Sequence, residues 1–300
     1  MIVEFEWPSN LVRAVERDLL AGKDRRSWLA DLPAIVEDLT HRWGLMVGRP
    51  FEPGGNVSWV APAHDTAGVP VVLKVGWRHD EAMFEVDALR VWNGNGAVRV
   101  IDSFEFGETI ALLLEACEPG VTLGDALRPP EQDVVAATML RRLHIEPPDD
   151  HPFPTLLSMC DSWADGFERR YAEALADGTR ILDASLARVG IEAFRSLPRT
   201  ANRSVLLCTD LHPGNILSAQ REPWLMIDPK PHVGDPAYDA VQYMLNFPAR
   251  LDAGVFGFVA RMAWLLEVDE GRLRQWLFAR CVQESVDWPE LQPVARMLAP

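Results

Sequence analysis

The stretch "LLCTDLHPGNIL", residues 206–217, sets an Asp, a His, a Pro, a Gly and an Asn between two short apolar runs. Short apolar runs bounded by turn residues read as strands. Pro213 and Gly214 keep the segment between them compact and non-helical. One reading is a plain turn, because Asp and Asn side chains bond readily to nearby backbone. The other is chemical. Asp210 offers a carboxylate that can take a proton, and five positions on Asn215 offers an amide oxygen that can meet a hard cation.

Moving outward, "WLMIDPK" (residues 224–230) places Asp228 at the end of the next apolar run, thirteen positions after Asn215. It reads as a strand-end cap, or as a second oxygen ligand for the same Mg²⁺. Kinases use this order: an Asp that accepts the substrate's hydroxyl proton, an Asn five residues later on Mg²⁺, then an Asp on Mg²⁺. Further upstream, Lys74 interrupts "VVLKV" and shares a strand face with Val72. A lysine facing inward must snorkel, pair with an acid or hold an anion. Glu85 follows eleven residues later in a helical segment, and a strand Lys paired with a helix Glu positions nucleotide phosphates in kinases. The plainer alternative puts Lys74 on a solvated edge strand and Glu85 on a polar helix face. The turn "PGGN", with Gly54 and Gly55, lets backbone approach a phosphate or simply closes a hairpin.

The arrangement of periodicities predicts two lobes. Residues 9–43 read as two helices, with Ser9 and Asn10 capping the first, Gly22 ending it and Asp24 capping the second. Val-rich runs at 45–51, 57–62 and 69–77 read as strands. Met83, Val86, Leu89 and Val91 then show helical spacing, and two more strands follow at 98–104 and 109–116. After residue 117 helices dominate, at 131–143, 155–177, 179–197 and from 236 onward, around an embedded β hairpin. The expected organisation is a β-rich lobe over 1–116 and a helical lobe over 117–300, an α+β arrangement with a cleft as the ligand site.

Composition narrows the function classes. Of 300 residues, 48% are hydrophobic and 24% charged, which is ordinary for a globular chain. The net charge of -15 disfavours a nucleic-acid partner and favours a cationic small molecule. Cys117, Cys160, Cys208 and Cys281 form no CxxC pair, so no zinc framework is expected and all four read as buried thiols. The sequence shows neither a signal-peptide pattern nor an apolar run long enough to span a bilayer. A cytoplasmic protein with no membrane partner is expected, either a monomer or a weak homodimer.

In combination, "EVDALRVWNGNGAVRV" (85–100), "LLLEACEPGVTL" (112–123), "TDLHPGNIL" (209–217) and "WLMIDPKPHVGDPAYD" (224–239) resemble the aminoglycoside phosphotransferase family of the protein-kinase-like superfamily. Within it, the streptomycin 6-kinase and hydroxyurea phosphotransferase branch is the most similar. The resemblance runs from about residue 40 to residue 250. It implies a bilobal protein-kinase-like fold that uses ATP and Mg²⁺ to phosphorylate a hydroxyl of a small molecule. By that likeness, Asp210 is the catalytic base and Asn215 and Asp228 hold Mg²⁺. Lys74 contacts the α- and β-phosphates, oriented by Glu85, and the backbone of Glu115 and Cys117 meets adenine. Asp235 resembles the family's helix-capping acid, and Lys230 is a possible phosphate contact. One departure stands out: the family's usual His-Gly or His-Ala before the catalytic Asp is here Cys208-Thr209. A thiol packs well but donates weakly.

A polycationic acceptor would want an acidic pocket. Asp161, Asp165 and Glu168 share one helix face, and Glu284, Asp287 and Glu290 form a second group. Either set can equally be a solvated helix face. Trp163, Trp264, Trp276 and Trp288 could wall a sugar or belong to the core. The acceptor expected from the resemblance is an aminoglycoside of the streptomycin kind. The alternatives are a sugar or amino alcohol, or a nucleotide-binding protein with little transfer activity.

Overall fold

The computed structural model describes residues 5–17 and 25–300. Gly22 and Asp24, expected as helix caps, lie outside the described residues. The chain divides into two compact units, Met1–Gly120 with Ala219–Pro223, and Val121–Ser218 with Trp224–Pro300.

The first unit is built on a five-stranded antiparallel sheet. Its strands are β1 (Met46–Val47), β2 (Ser58–His64), β3 (Pro70–Trp77), β4 (Val100–Phe106) and β5 (Thr109–Glu115), in the order β1-β2-β3-β5-β4. Helices α1 (Ser9–Glu16) and α2 (Arg26–Trp43) precede the sheet, and α3 (Glu85–Trp92) lies between β3 and β4. Side chains alternate along β3 as a pleated strand requires. Val71, Leu73, Val75 and Trp77 join Trp28, Leu32, Val36 and Leu39 of α2 in one buried cluster. Lys74 therefore points to the opposite face. Because β3 lies between β2 and β5, it is an interior strand, and the edge-strand reading of Lys74 fails.

Two local expectations need correction. Pro8, not Ser9 or Asn10, occupies the N-cap of α1, and the Asn10 amide reaches out instead to the Gly54 carbonyl at 2.8 Å. Helix α3 starts only at Glu85, so Met83 stays exposed, and the buried face is Glu85, Val86, Ala88, Leu89 and Trp92. Asn93 then stops the helix in the left-handed conformation, φ 45°.

The second unit is mostly helical: α4 (Leu123–Ala126), α5 (Pro129–Leu143), α6 (Leu156–Ala176), α7 (Ala184–Ser196), then α8 (Ala237–Leu245), α9 (Pro248–Leu266), α10 (Glu270–Glu284) and α11 (Leu291–Leu298). Helix α10 is largely buried: Leu273, Trp276, Leu277, Phe278, Ala279, Cys281 and Val282 lie in the core, and Arg280 and Gln283 are buried with them. Four three-residue strands are embedded between α7 and α8. Here the structure adds a second ribbon to the single expected hairpin. Strand β6 (Val205–Leu207) pairs with β9 (His232–Gly234), and β7 (Ile216–Ser218) pairs with β8 (Trp224–Met226). The loop 208–215 thus connects two separate ribbons, and its flanking strands are not each other's partners.

Candidate active site

In the first unit the Lys74 ammonium lies 2.7 Å from both carboxylate oxygens of Glu85. Lys74 is 9% exposed and Glu85 3%. At that depth neither charge is tolerable alone, and each makes the other's burial possible. The strand supplies Lys74 and the first turn of α3 supplies Glu85, so the pair pins α3 to the sheet. The result is a fixed cation held by two oxygens.

The glycine turn is more closed than its composition suggests. Gly54 has φ +73°, and a Cβ there would meet the Pro8 Cβ at 2.5 Å. Its carbonyl accepts from Asn10, and the Asn56 carbonyl accepts from the buried Arg25 at 3.0 Å. The helical segments ahead of the sheet therefore hold this turn, and packing alone requires Gly54. Gly55 has room for a Cβ, whose nearest neighbour would be the Ser58 carbonyl at 3.8 Å.

At the end of β5, the Glu115 amide donates to the Arg99 carbonyl at 2.9 Å. Its carboxylate is gripped by Arg221, Nε to Oε1 at 2.7 Å and Nη2 to Oε2 at 2.9 Å. Arg221 also donates to the carbonyls of Gly94 and Ala97. It is a residue that sequence inspection passed over, because nothing in its neighbourhood marks it. Cys117 is half-buried, and burial pushes its thiol up to about 12, so it remains a neutral thiol.

The second unit carries the loop that opened the reading. Asp210 is partly buried, and burial raises its pKa above the ordinary carboxylate value; the nearby charge of Lys230 opposes that rise and Asp228 adds to it. A carboxylate of raised basicity is suited to taking a proton. Lys230 lies 3.4 Å from an Asp210 oxygen and 3.5 Å from an Asp228 oxygen. Asn215 donates its side-chain N–H to the Asp210 carbonyl at 3.2 Å. Its Oδ1 meets no donor among the described residues, although Asn215 is 8% exposed. His212 is lowered by burial and acts as a neutral acceptor, taking the Gly214 amide on Nδ1 at 3.1 Å. It braces the turn.

Two residues here hold conformations that L side chains rarely adopt, Thr209 at φ 45° and Asp228 at φ 53°. For a β-branched threonine this is costly. The surroundings hold it there: the Thr209 amide donates to Asp239 Oδ1 at 2.8 Å, and its hydroxyl donates to the Lys230 carbonyl. Asp239, missed from sequence, is fully buried on α8. It also accepts the Cys208 amide at 3.0 Å and faces His144 Nε2 at 3.0 Å. Asp235 has the capping role its position suggested, accepting the Ala237 amide at 3.0 Å and holding Arg272 and Trp276.

The donor set fits Mg²⁺. Two carboxylates near one nitrogen, plus an amide oxygen without a donor, match an ion that takes few protein oxygens and completes its shell with phosphate and water. Among the described residues no group of three His, Cys, Asp or Glu could hold a metal without such help.

The acidic helix faces are occupied. Arg195 of α7 bonds Asp165 at 2.7 Å and Glu168 at 3.1 Å and approaches Asp161, which Arg199 meets at 3.0 Å. That trio cross-braces α6 to α7. Glu284 pairs with Arg280 and Asp287 with Arg170, and both border a cavity of about 320 Å³ that Trp163, Gln283 and Arg169 also line. Trp276 is core, Trp288 is exposed, and Trp264 lines a separate cavity of about 530 Å³ with Arg141 and Glu270. No described helix is long and apolar enough to cross a membrane.

Comparison with known proteins gives the family. Residues 42–291 match the family model described as aminoglycoside/hydroxyurea antibiotic resistance kinase. The chain is 32% identical over 285 residues to streptomycin 6-kinase of Streptomyces griseus, covering 93% of this chain and 89% of that one. It is 31% identical over 290 residues to hydroxyurea phosphotransferase of Kitasatospora aureofaciens, covering 94% and 79%. Among solved structures, an amicoumacin kinase in complex with AMP-PNP, Ca²⁺ and Ami superposes with a TM-score of 0.60 at 12% identity, covering 89% of this chain and 92% of that one. At that identity the likeness concerns the protein-kinase-like fold alone.

Proposed function

The chain belongs to the aminoglycoside/hydroxyurea antibiotic resistance kinase family, a family of small-molecule phosphotransferases, and from that premise we propose that it transfers the γ-phosphate of ATP to a hydroxyl of a cationic, streptomycin-like acceptor. The observation that carries the reading is the loop cluster. Asp210 and Asp228 each place an oxygen within 3.5 Å of one lysine nitrogen, beside the donor-free Oδ1 of Asn215.

Asp210 takes the acceptor's hydroxyl proton. Asn215 and Asp228 hold Mg²⁺, which supplies charge neutralisation on the phosphates when bound. Lys74, oriented by Glu85, holds the α- and β-phosphates, while Lys230 is the second cation near the transferred group. The backbone at Glu115 and Cys117 receives the base; with the Glu115 amide already committed, Arg221 fixes the shape of that segment. In such a reaction positioning and electrostatics supply most of the rate.

Of the two acidic groups, Glu284 and Asp287 are the better acceptor candidates. They border a cavity with an aromatic wall, and a carboxylate that accepts from one arginine retains lone pairs for a cationic ligand. Asp161, Asp165 and Glu168 serve as the helix brace.

The test is ATP-dependent ADP release with streptomycin, and then with a panel of aminoglycosides, amino sugars, amino alcohols and hydroxyurea. Release with streptomycin that falls about 10²- to 10⁴-fold in Asp210→Asn supports the proposal. In Lys74→Met, the ATP KM should rise as well. No release with any acceptor, despite a Mg²⁺-ATP thermal shift, would identify a nucleotide binder without transfer.

A further inference from the structure

The residue two before Asp210 is Cys208, whose thiol is a weak donor. Cys208 is fully buried, and burial beside Asp239 keeps its thiol protonated. The Sγ lies 3.4 Å from Asp239 Oδ2, a weak contact. Something else must hold a β-branched residue at positive φ directly before the base.

An imidazole is present, but from elsewhere in the chain. His144 follows α5, 95 positions before Asp239, and its Nε2 lies 3.0 Å from Asp239 Oδ2. A carboxylate only accepts, so the ring must carry a proton on Nε2. The two side chains are 6% and 0% exposed. The imidazole itself is anchored on its backbone side, where the His144 carbonyl accepts from Arg203 at 2.6 Å. Asp239 in turn accepts the amides of Cys208 and Thr209, at 3.0 and 2.8 Å. Thus a single buried carboxylate has His144 on one side and the two residues that precede Asp210 on the other.

We propose that His144 is a positioning residue for phosphoryl transfer: through Asp239 it fixes the backbone that aims Asp210. The proposal rests on Asp210 being the base. It does not require that His144 touch substrate, nucleotide or metal. Removing its donor leaves Asp239 short of a partner at a site with no water-facing escape, and the carboxylate then rotates toward other donors, loosening the amides it holds.

The substitutions His144→Gln and His144→Asn separate position from bulk. A glutamine amide reaches about as far as Nε2, whereas an asparagine amide falls short. Amide hydrogen exchange is read at 208–211, and kcat and the ATP KM are read with streptomycin as acceptor. His144→Asn should speed exchange at Cys208 and Thr209 about tenfold or more. It should also lower kcat roughly 10- to 100-fold, with the ATP KM within about twofold of wild type. His144→Gln should restore both. Equal effects of the two variants, unchanged exchange in His144→Asn, or unchanged kcat in a wild-type enzyme that does turn over streptomycin, each overturn the proposal. If wild type phosphorylates nothing, the functional reading has failed and exchange alone decides the positioning. If His144→Asn does not fold, ¹⁵N imidazole shifts of the wild type decide it: a proton on Nε2 supports the network, and a ring protonated on Nδ1 alone overturns it.

Discussion

At Asp210, the demand of proton transfer opposes the demand of stability. Burial raises its pKa, so the folded protein binds this proton more tightly than the unfolded chain does. Above both pKa values the folded state must keep a desolvated charge, and it loses stability by doing so. As pH falls through the raised folded value and then the unfolded value of about 4, that loss disappears. Asp210→Asn should therefore raise the melting temperature of the ligand-free protein at pH 7, by a few degrees at most. The gain should shrink to nothing near pH 3 to 4, even though the variant transfers phosphate far more slowly. Scanning calorimetry of both proteins across that range is the check; a gain that grows on acidification would contradict the assignment. For wild type the same shift puts the acid limb of the pH–rate profile above the ordinary carboxylate range. Lys74, Glu85, Asp210, Asn215 and Asp228 were legible in the sequence, because each interrupts an apolar pattern or sits at a telling spacing. Asp239 and His144 were not. Each looks like an ordinary residue near a helix end, and only folding brings two positions 95 apart to 3.0 Å.

Helix packing explains the second set of differences between sequence and structure. Apolar periodicity located the long helices, but not which faces meet. Asp161, Asp165 and Glu168 read as a possible cation site because Arg195, on the next helix, cannot be placed opposite them from spacing alone. Likewise, three-residue strands are too short for their pattern to specify a partner, so the β6–β9 ribbon beside the β7–β8 hairpin could not be read from sequence. Close approach of α7 and α10 is equally invisible in sequence. A Cβ on Gly190 would lie 2.4 Å from Val282 Cγ2, and Val282 is fully buried. Gly190→Ala must push the helices apart or force Val282 from its rotamer, at about 1–3 kcal/mol. A fall in melting temperature of several degrees is expected. Adding Val282→Ala should recover part of it, since the extra methyl then fills the space the valine left. Additive losses in the double variant would show that the two residues do not share that space.

The field of the whole molecule bears on both proposed ligands, with opposite sign. A net charge of -15 attracts a polycation and repels a nucleotide triphosphate at distances beyond any single contact. Screening shortens that reach to about 10 Å at 0.1 M salt and about 30 Å at 0.01 M. Raising potassium chloride from about 0.02 to 0.2 M should therefore raise the KM for a streptomycin-like acceptor several-fold, because the long-range attraction is lost. The KM for ATP should not follow. Its binding draws on local cations, Lys74 on a buried glutamate and Lys230 between two aspartates, which lie too close to their target for salt to screen well. Screening of the overall repulsion should, if anything, help ATP to arrive. Steady-state kinetics at fixed pH and fixed free Mg²⁺, with sucrose as an osmotic control, separates the two. Parallel rises in both constants would point to a general salt effect on the fold. A flat KM for a cationic acceptor would mean that the net charge of the molecule plays no part in its capture and that local contacts alone bind it.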